Sequence, residues 1–73
     1  MMSVSATIKG LLSLSGKKQI DLMEPLHMSS KQSLSNKFSN ERWSADDLVQ
    51  IAKCTGCELA FILPDGNKIT INE

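Results

Sequence analysis

Residues 18–38 form the segment that most restricts how this chain can fold. Its first half carries apolar side chains at helical spacing, namely Ile20, Met23 and Leu26. Its second half keeps only Leu34 and Phe38 apolar, and these two lie four residues apart, on one narrow edge of a helix. Serine, asparagine, glutamine and lysine fill most other positions there. Such a helix must lie on the surface with a broad polar face outward, so most of the core has to come from other segments.

The start of the chain is predicted to be an amphipathic helix over residues 4–15. Its apolar face consists of Val4, Ile8, Leu11 and Leu12. Ser3 or Ser5 can cap its first turn. Gly16 suits its end, because glycine readily takes the left-handed conformation that follows a helix.

A second helix with clear ends is predicted over residues 45–55. Ser44 starts it, with Asp46 and Asp47 in the first turn, where the helix dipole favours anions. Trp43 before the cap and Leu48 form a plausible hydrophobic staple. Gly56 follows the last helical residue, where it favours termination.

Between these helices, the pattern predicts two short helices, residues 18–27 and 30–38, joined by a tight turn. Pro25 lies late in the first of them and predicts a kink or an early end. Ser29 begins an S-x-x-Q capping box for the second, and Ser30 is the competing cap. The two alternatives place the start of this helix one residue apart.

Residues 57–73 change to the two-residue period of β-strands and predict a hairpin. The first strand would place Leu59, Phe61 and Leu63 on one face. Residues 64–67, Pro-Asp-Gly-Asn, are a strong turn signal. In the second strand, Ile69 and Ile71 are expected to face inward. The predicted fold is therefore mainly α, with four helices followed by a two-stranded hairpin, in one domain over residues 1–73.

The charges are unevenly distributed although the formal net charge is zero. Residues 1–43 contain six cations and three anions, a local charge of +3, whereas residues 44–73 contain two cations and five anions, a local charge of −3. A basic face can bind phosphate while an acidic end points away. No apolar run approaches the roughly 20 residues of a membrane span, and no signal peptide is evident, so a cytoplasmic location is expected.

The residues that could carry catalysis or bind a metal do not form a recognisable site. Cys54 and Cys57 form a C-x-x-C element, but zinc needs four ligands and His27 is the only histidine. The cysteines also follow a helix C-terminus, where the dipole does not activate a thiol. We expect structural thiols, with a metal shared across a dimer or a redox switch as alternatives. Neither an enzymatic activity nor a bound cofactor is expected.

The central part of the chain resembles the helix-turn-helix of the XRE family, the Cro and cI repressor type. The residues that carry the resemblance are Gln19, Leu22, Leu26, Ser29, Ser30 and Leu34. The run at 48–53 is similar to that family's fourth helix, so the resemblance covers about residues 4–56. Met23 stands where the family favours alanine, and His27 where it favours glycine. The usual fifth helix is replaced by the hairpin, an ending more similar to Cro.

The resemblance implies sequence-specific binding of double-stranded DNA by a transcriptional regulator, with the third predicted helix in the major groove. The implied base contacts are Lys31, Gln32, Ser35 and Asn36. The implied phosphate contacts are Lys17, Lys18, Gln19, Ser30, Lys37, Asn40 and Arg42. A homodimer formed through the C-terminal hairpin is also expected. The alternative is a protein-interaction module, of antitoxin or anti-repressor type, on the same scaffold without DNA specificity of its own.

Overall fold

The structure is a computed structural model that describes residues 3–71. Within this range the chain forms three α-helices, one 3-10 helix and one antiparallel hairpin. The elements in chain order are α1 (Val4–Ser15), the 3-10 helix (Gln19–Leu22), α2 (Lys31–Asn40), α3 (Ala45–Thr55), β1 (Ala60–Ile62) and β2 (Lys68–Thr70). Residues 72 and 73, which the hairpin prediction includes, lie outside the described range.

Helix α1 has the same bounds as the helix predicted from the sequence. Ser3, rather than Ser5, is its N-cap, because the Ser3 hydroxyl accepts a hydrogen bond from the Ala6 N–H at 3.0 Å. Gly16 ends the helix with a φ of 72°. Local capping signals are therefore sufficient to define both ends of α1.

Helix α3 also has its predicted bounds. The Ser44 hydroxyl accepts from the Asp47 N–H at 3.0 Å, and the Asp47 carboxylate accepts from the Ser44 N–H at 3.0 Å. Gly56 adopts a φ of 74° and closes the helix. The two reciprocal bonds form a capping box.

The expectation of four α-helices is wrong, because residues 18–27 do not form an α-helix. Only one turn of 3-10 helix forms, followed by a series of turns. Pro25 has no N–H to donate to the Asp21 carbonyl, and its ring crowds that turn. The remaining backbone bonds have mixed spacing, namely Met23 to Ile20, Leu26 to Leu22 and Met28 to Met23, at 3.1, 3.1 and 2.8 Å. No regular helical repeat continues through the proline.

The irregular segment ends in a left-handed residue and still contributes to the core. His27 has a φ of 54°, a conformation uncommon for residues other than glycine. Leu22 is fully buried, with an exposed fraction of 0%. The segment therefore turns before α2 and is held in the core by the side chain of Leu22.

Helix α2 begins at Lys31, because Ser30 is its N-cap and accepts from the Ser33 N–H at 3.2 Å. The capping box predicted at Ser29 is therefore wrong. The helix continues through Asn40, two residues beyond the predicted end, and Glu41 closes it with a φ of 56°.

One hydrophobic core joins all the helices. Its buried members are Ile8, Leu12, Leu22, Leu34, Phe38 and Ile51. The Phe38 ring also meets the Trp43 ring edge-on, with centroids 4.9 Å apart and planes inclined by 81°. Leu34 and Phe38 thus hold α2 by its narrow apolar edge and leave the rest of that helix to solvent.

The hairpin follows the predicted turn but not the predicted burial. Phe61 pairs with Ile69, and Gly66 takes the positive φ of 92° that the turn requires. However, Phe61 and Ile69 are 67% and 59% exposed. The prediction that Ile69 faces inward is wrong, because the two strands pair with each other and leave these side chains uncovered by the helices.

Candidate nucleic-acid interface

The candidate base-contacting residues lie together on the exposed side of α2. They are Lys31, Gln32, Ser35 and Asn36, and all four are exposed. At about 100° per residue they span an arc of about 140° around the helix axis. We call these four residues the α2 polar face. Leu34 and Phe38, which are buried, lie on a different edge of the helix, about 110° around the axis from the centre of this arc.

Two amides of the α2 polar face are joined to each other. The Gln32 Nε2 donates to the Asn36 Oδ1 at 3.2 Å, one helical turn away. Neither amide is used to cap the helix, since Ser30 performs that role. The pair retains a free Gln32 carbonyl oxygen and the Asn36 amide N–H groups, so donors and acceptors remain available to a ligand.

The start of the 3-10 helix lies beside the α2 polar face. Gln19 and Ile20 line a shallow groove of about 340 Å³ together with Lys31, Leu34 and Ser35. Leu34 contributes the buried apolar floor. The structure therefore brings Gln19, predicted to contact phosphate, next to two of the candidate base-contacting residues.

The other phosphate-contact candidates flank this surface. Lys17 and Lys18 are exposed immediately before the 3-10 helix. Asn40 and Arg42 are exposed at the far end of α2. Ser30 is half-buried, and its hydroxyl is occupied with Ser33, whose Oγ lies 2.9 Å away. Ser30 therefore reaches a ligand less readily than the four exposed residues do.

Lys37 is bound within the fold. Its Nζ lies 2.6 Å from the Asp47 Oδ2 and donates to the Arg42 carbonyl at 3.0 Å. The same Nζ stands 5.7 Å from the centre of the Trp43 ring. Partial burial acts to raise the pKa of Asp47, but hydrogen bonds from Lys37 and Ser44 outweigh it and hold that pKa below its ordinary value. Lys37 thus connects α2 to α3, and a phosphate contact would have to compete with this bond.

The end of α2 is fastened to the start of α1. The Ser5 hydroxyl is buried, donates to the Phe38 carbonyl at 2.7 Å and accepts from the Trp43 Nε1 at 3.1 Å. The Ser5 N–H points to the Glu41 carboxylate, at 3.3 and 3.2 Å from its two oxygens. These bonds to Ser5 hold the pKa of Glu41 below its ordinary value despite some desolvation. The negative charge of Glu41 is therefore directed at a helix N-terminus.

Other kinds of site find less support among residues 3–71. Cys54 and Cys57 are free thiols, and no group of three histidine, cysteine, aspartate or glutamate side chains is arranged to hold a metal. Cys54 lines a groove with Asp21 and Glu24, whereas Cys57 lines a different one between α1 and α3. Nor does this range contain a helix long and apolar enough to cross a membrane.

Sequence reasoning missed two residues of this region. Ile20 lies at the helical spacing of an apolar face but is 46% exposed, because the predicted α-helix does not form. Ser5 is one of two candidate caps but instead joins three segments of the fold. Pro25 was the available signal for Ile20, whereas the partners of Ser5 lie 33 or more residues away and leave no local trace.

No family model, curated protein or solved structure significantly matches this chain.

Proposed function

We propose that the protein binds double-stranded DNA in a sequence-specific manner through the α2 polar face and acts as a transcriptional regulator. The observation that carries the proposal is the exposure of Lys31, Gln32, Ser35 and Asn36 on a helix that Leu34 and Phe38 anchor in the core along a separate edge. An α-helix fits the major groove of DNA, where base edges present hydrogen-bond donors and acceptors.

The side chains on this face have the chemistry that base recognition needs. Amides such as those of Gln32 and Asn36 can pair with the N6 and N7 atoms of adenine, and a lysine such as Lys31 can reach the acceptors of guanine. The contact of Gln32 with Asn36 sets the orientation of both amides before DNA arrives. A fixed orientation lowers the entropy lost on binding.

The flanking residues supply contacts to the phosphate backbone. Lys17 and Lys18 lie beside one end of the surface and Arg42 beside the other. The carboxylate of Glu41, which could oppose them, is instead directed at α1. Each phosphate contact displaces bound counterions, so DNA affinity should fall steeply with salt.

The geometry also supports the resemblance to the XRE helix-turn-helix at one position. His27 occupies the place where that family favours glycine, and its φ of 54° is the left-handed conformation that glycine adopts readily. The segment before it is irregular, so the proposal depends on α2 and the preceding groove rather than on a regular pair of α-helices.

The test of DNA binding is selection of duplexes from a random pool at low salt. We expect enrichment of one sequence, and Asn36→Ala should reduce the preference for it by about tenfold. Arg42→Ala should weaken binding to all duplexes and lower the slope of log affinity against log salt by about 1. Lys9→Ala is the matched control, because it removes an exposed cation of α1 that belongs neither to the proposed DNA surface nor to the hairpin. An unenriched pool would overturn the proposal.

A homodimer joined through the hairpin is part of the same proposal. Phe61, Ile62 and Ile69 are large apolar side chains that remain mostly exposed. Covering them with a second copy would bury apolar area and satisfy unpaired strand edges. Phe61→Asp should convert a dimer to a monomer in sedimentation equilibrium. A wild-type protein that is monomeric at high micromolar concentration would contradict this part.

A second candidate function is a protein-interaction module without DNA specificity. The exposed hairpin favours it, together with an apolar groove of about 310 Å³ between α1 and α3. Extended peptides commonly add to exposed strand edges of this kind. A stable heteromeric partner together with an absence of DNA affinity would favour this function over the first.

A further inference from the structure

Ile20 is an apolar side chain with polar neighbours on the surface of the protein. It is 46% exposed and lines the groove between the 3-10 helix and α2. Its neighbours around the groove rim are Gln19, Lys31 and Ser35. Isolated exposed apolar residues are common on protein surfaces, but this one stands directly beside the α2 polar face.

The core does not account for the placement of Ile20. Leu22, two residues later, is the 3-10 helix residue that is fully buried. Leu34 already forms the floor of the groove beneath the rim. About half of the Ile20 surface is therefore available to whatever the α2 polar face binds.

We propose that Ile20 reads the 5-methyl group of a thymine next to the bases contacted by α2. This inference rests on the proposed DNA binding and adds an apolar contact to its polar ones. Among the four bases, only thymine presents a methyl group in the major groove, and proteins recognise it by apolar contact. Ile20 offers a branched hydrocarbon surface in the same groove as Lys31 and Ser35.

The methyl contact also discriminates between the two pyrimidines. A cytosine at the same place has only C5–H where thymine has its methyl group, so the apolar contact with Ile20 is lost. The contact therefore favours thymine over cytosine through the methyl group.

The experiment compares thymine with deoxyuridine, which lacks only the methyl group, in the duplex selected by the wild-type protein. Each thymine is replaced in turn, in both half-sites together, and affinity is measured for wild type and for Ile20→Ala. At one position we expect the wild type to lose about fourfold per half-site, the worth of one buried methyl group. Ile20→Ala should bind both duplexes equally.

The design separates failure of this inference from failure of DNA binding. If the wild type selects no duplex, both proposals are overturned. If it selects one but no deoxyuridine substitution matters, or if Ile20→Ala loses as much as the wild type, only the Ile20 inference is overturned. Each comparison uses one protein with two duplexes, so partial unfolding of a variant cancels. Leu14→Ala, which truncates a 90% exposed residue on α1, is the control and should behave as wild type.

Discussion

The two halves of α2 use similar residues in opposite ways. In the first half, Lys31 is exposed beside the groove, and the amides of Gln32 and Asn36 bond only to each other. In the second half, Lys37 is held by Asp47, and Glu41 is held by the start of α1. The polar groups near the end of the helix bind to the rest of the fold, whereas those of the α2 polar face are left for a ligand. Residue type alone does not show that Lys37 is bonded to Asp47 whereas Lys31 is exposed.

The comparison also explains why the exposed half can be rigid. The second half is joined to α1 through Ser5, to α3 through Asp47 and to Trp43 through Phe38. A helix transmits this restraint along its length, so the free side chains project from a fixed backbone. Binding sites supported by regular elements hold their geometry more closely than those on loops.

The largest predicted effect is on stability, from removal of the aromatic ring that anchors the second half. Phe38→Ala should lower the free energy of unfolding by about 3–5 kcal/mol, because it leaves a cavity beside Trp43. Ser39→Ala, at the exposed neighbouring position, should change it by less than about 0.5 kcal/mol. Urea denaturation followed by Trp43 fluorescence measures both. Similar losses in the two variants would remove the distinction between buried and exposed positions of α2.

The next effect tests the junction at Ser5. Ser5→Ala should lower the free energy of unfolding by about 1–3 kcal/mol, because the Phe38 carbonyl and the Trp43 N–H lose a buried partner. Ser13→Ala, an exposed serine on α1, is the matched control and should have little effect. Equal stability of the two variants would show that the junction contributes nothing.

The two lysines give the most direct test of the comparison. Lys37→Met should lower the free energy of unfolding by about 1 kcal/mol, since its ion pair is partly shielded from water. Lys31→Met should leave stability unchanged and weaken binding to the selected duplex by about tenfold. Denaturation and DNA-binding assays measure the stability and the DNA affinity of both variants. The contrast fails if Lys31→Met destabilises the protein as much as Lys37→Met does.

The smallest predicted effect is a loss of folding stability at acidic pH. The pKa values of Glu41 and Asp47 are lowered in the folded chain, so the unfolded chain binds more protons as pH falls. Their stabilisation is present above the ordinary carboxyl pKa of about 4 and is lost as pH falls through the lowered values. Denaturation at pH 7 and pH 3 should show a smaller acid loss for Asp47→Asn than for wild type. An equal acid loss in Asp47→Asn and wild type would show that Asp47 does not contribute to this dependence.

The parts of the fold that the sequence predicts well are those with local signals. The ends of α1 and α3 follow from Ser3, Gly16, Ser44 and Gly56, all of which act within one helical turn. The irregular segment was missed because helical spacing persists in the sequence while Pro25 interrupts the bonding. The sequence leaves Ser29 and Ser30 as competing caps because both serines fit the same local pattern, and the structure selects Ser30.

The candidate surface was predictable in character but not in its internal bonding. Exposure of the α2 polar face follows from the spacing of Leu34 and Phe38. The bond from Lys37 to Asp47 spans ten residues and two helices, so only the tertiary arrangement reveals it. The sequence does not predict the burial of the hairpin either. Alternation of apolar and polar residues shows which residues share a face but not what covers that face.

The contact between Glu41 and Ser5 has a consequence for how the chain is made. It joins residues 36 positions apart, and Glu41 supplies the carboxylate that faces the first turn of α1. During synthesis, α1 leaves the ribosome with its local Ser3 cap alone. Its amino end is completed only after α2 has emerged, so α1 is synthesised before α2 but is finished after it. Nascent chains stopped before residue 41 should therefore hold α1 more loosely than chains that extend beyond it.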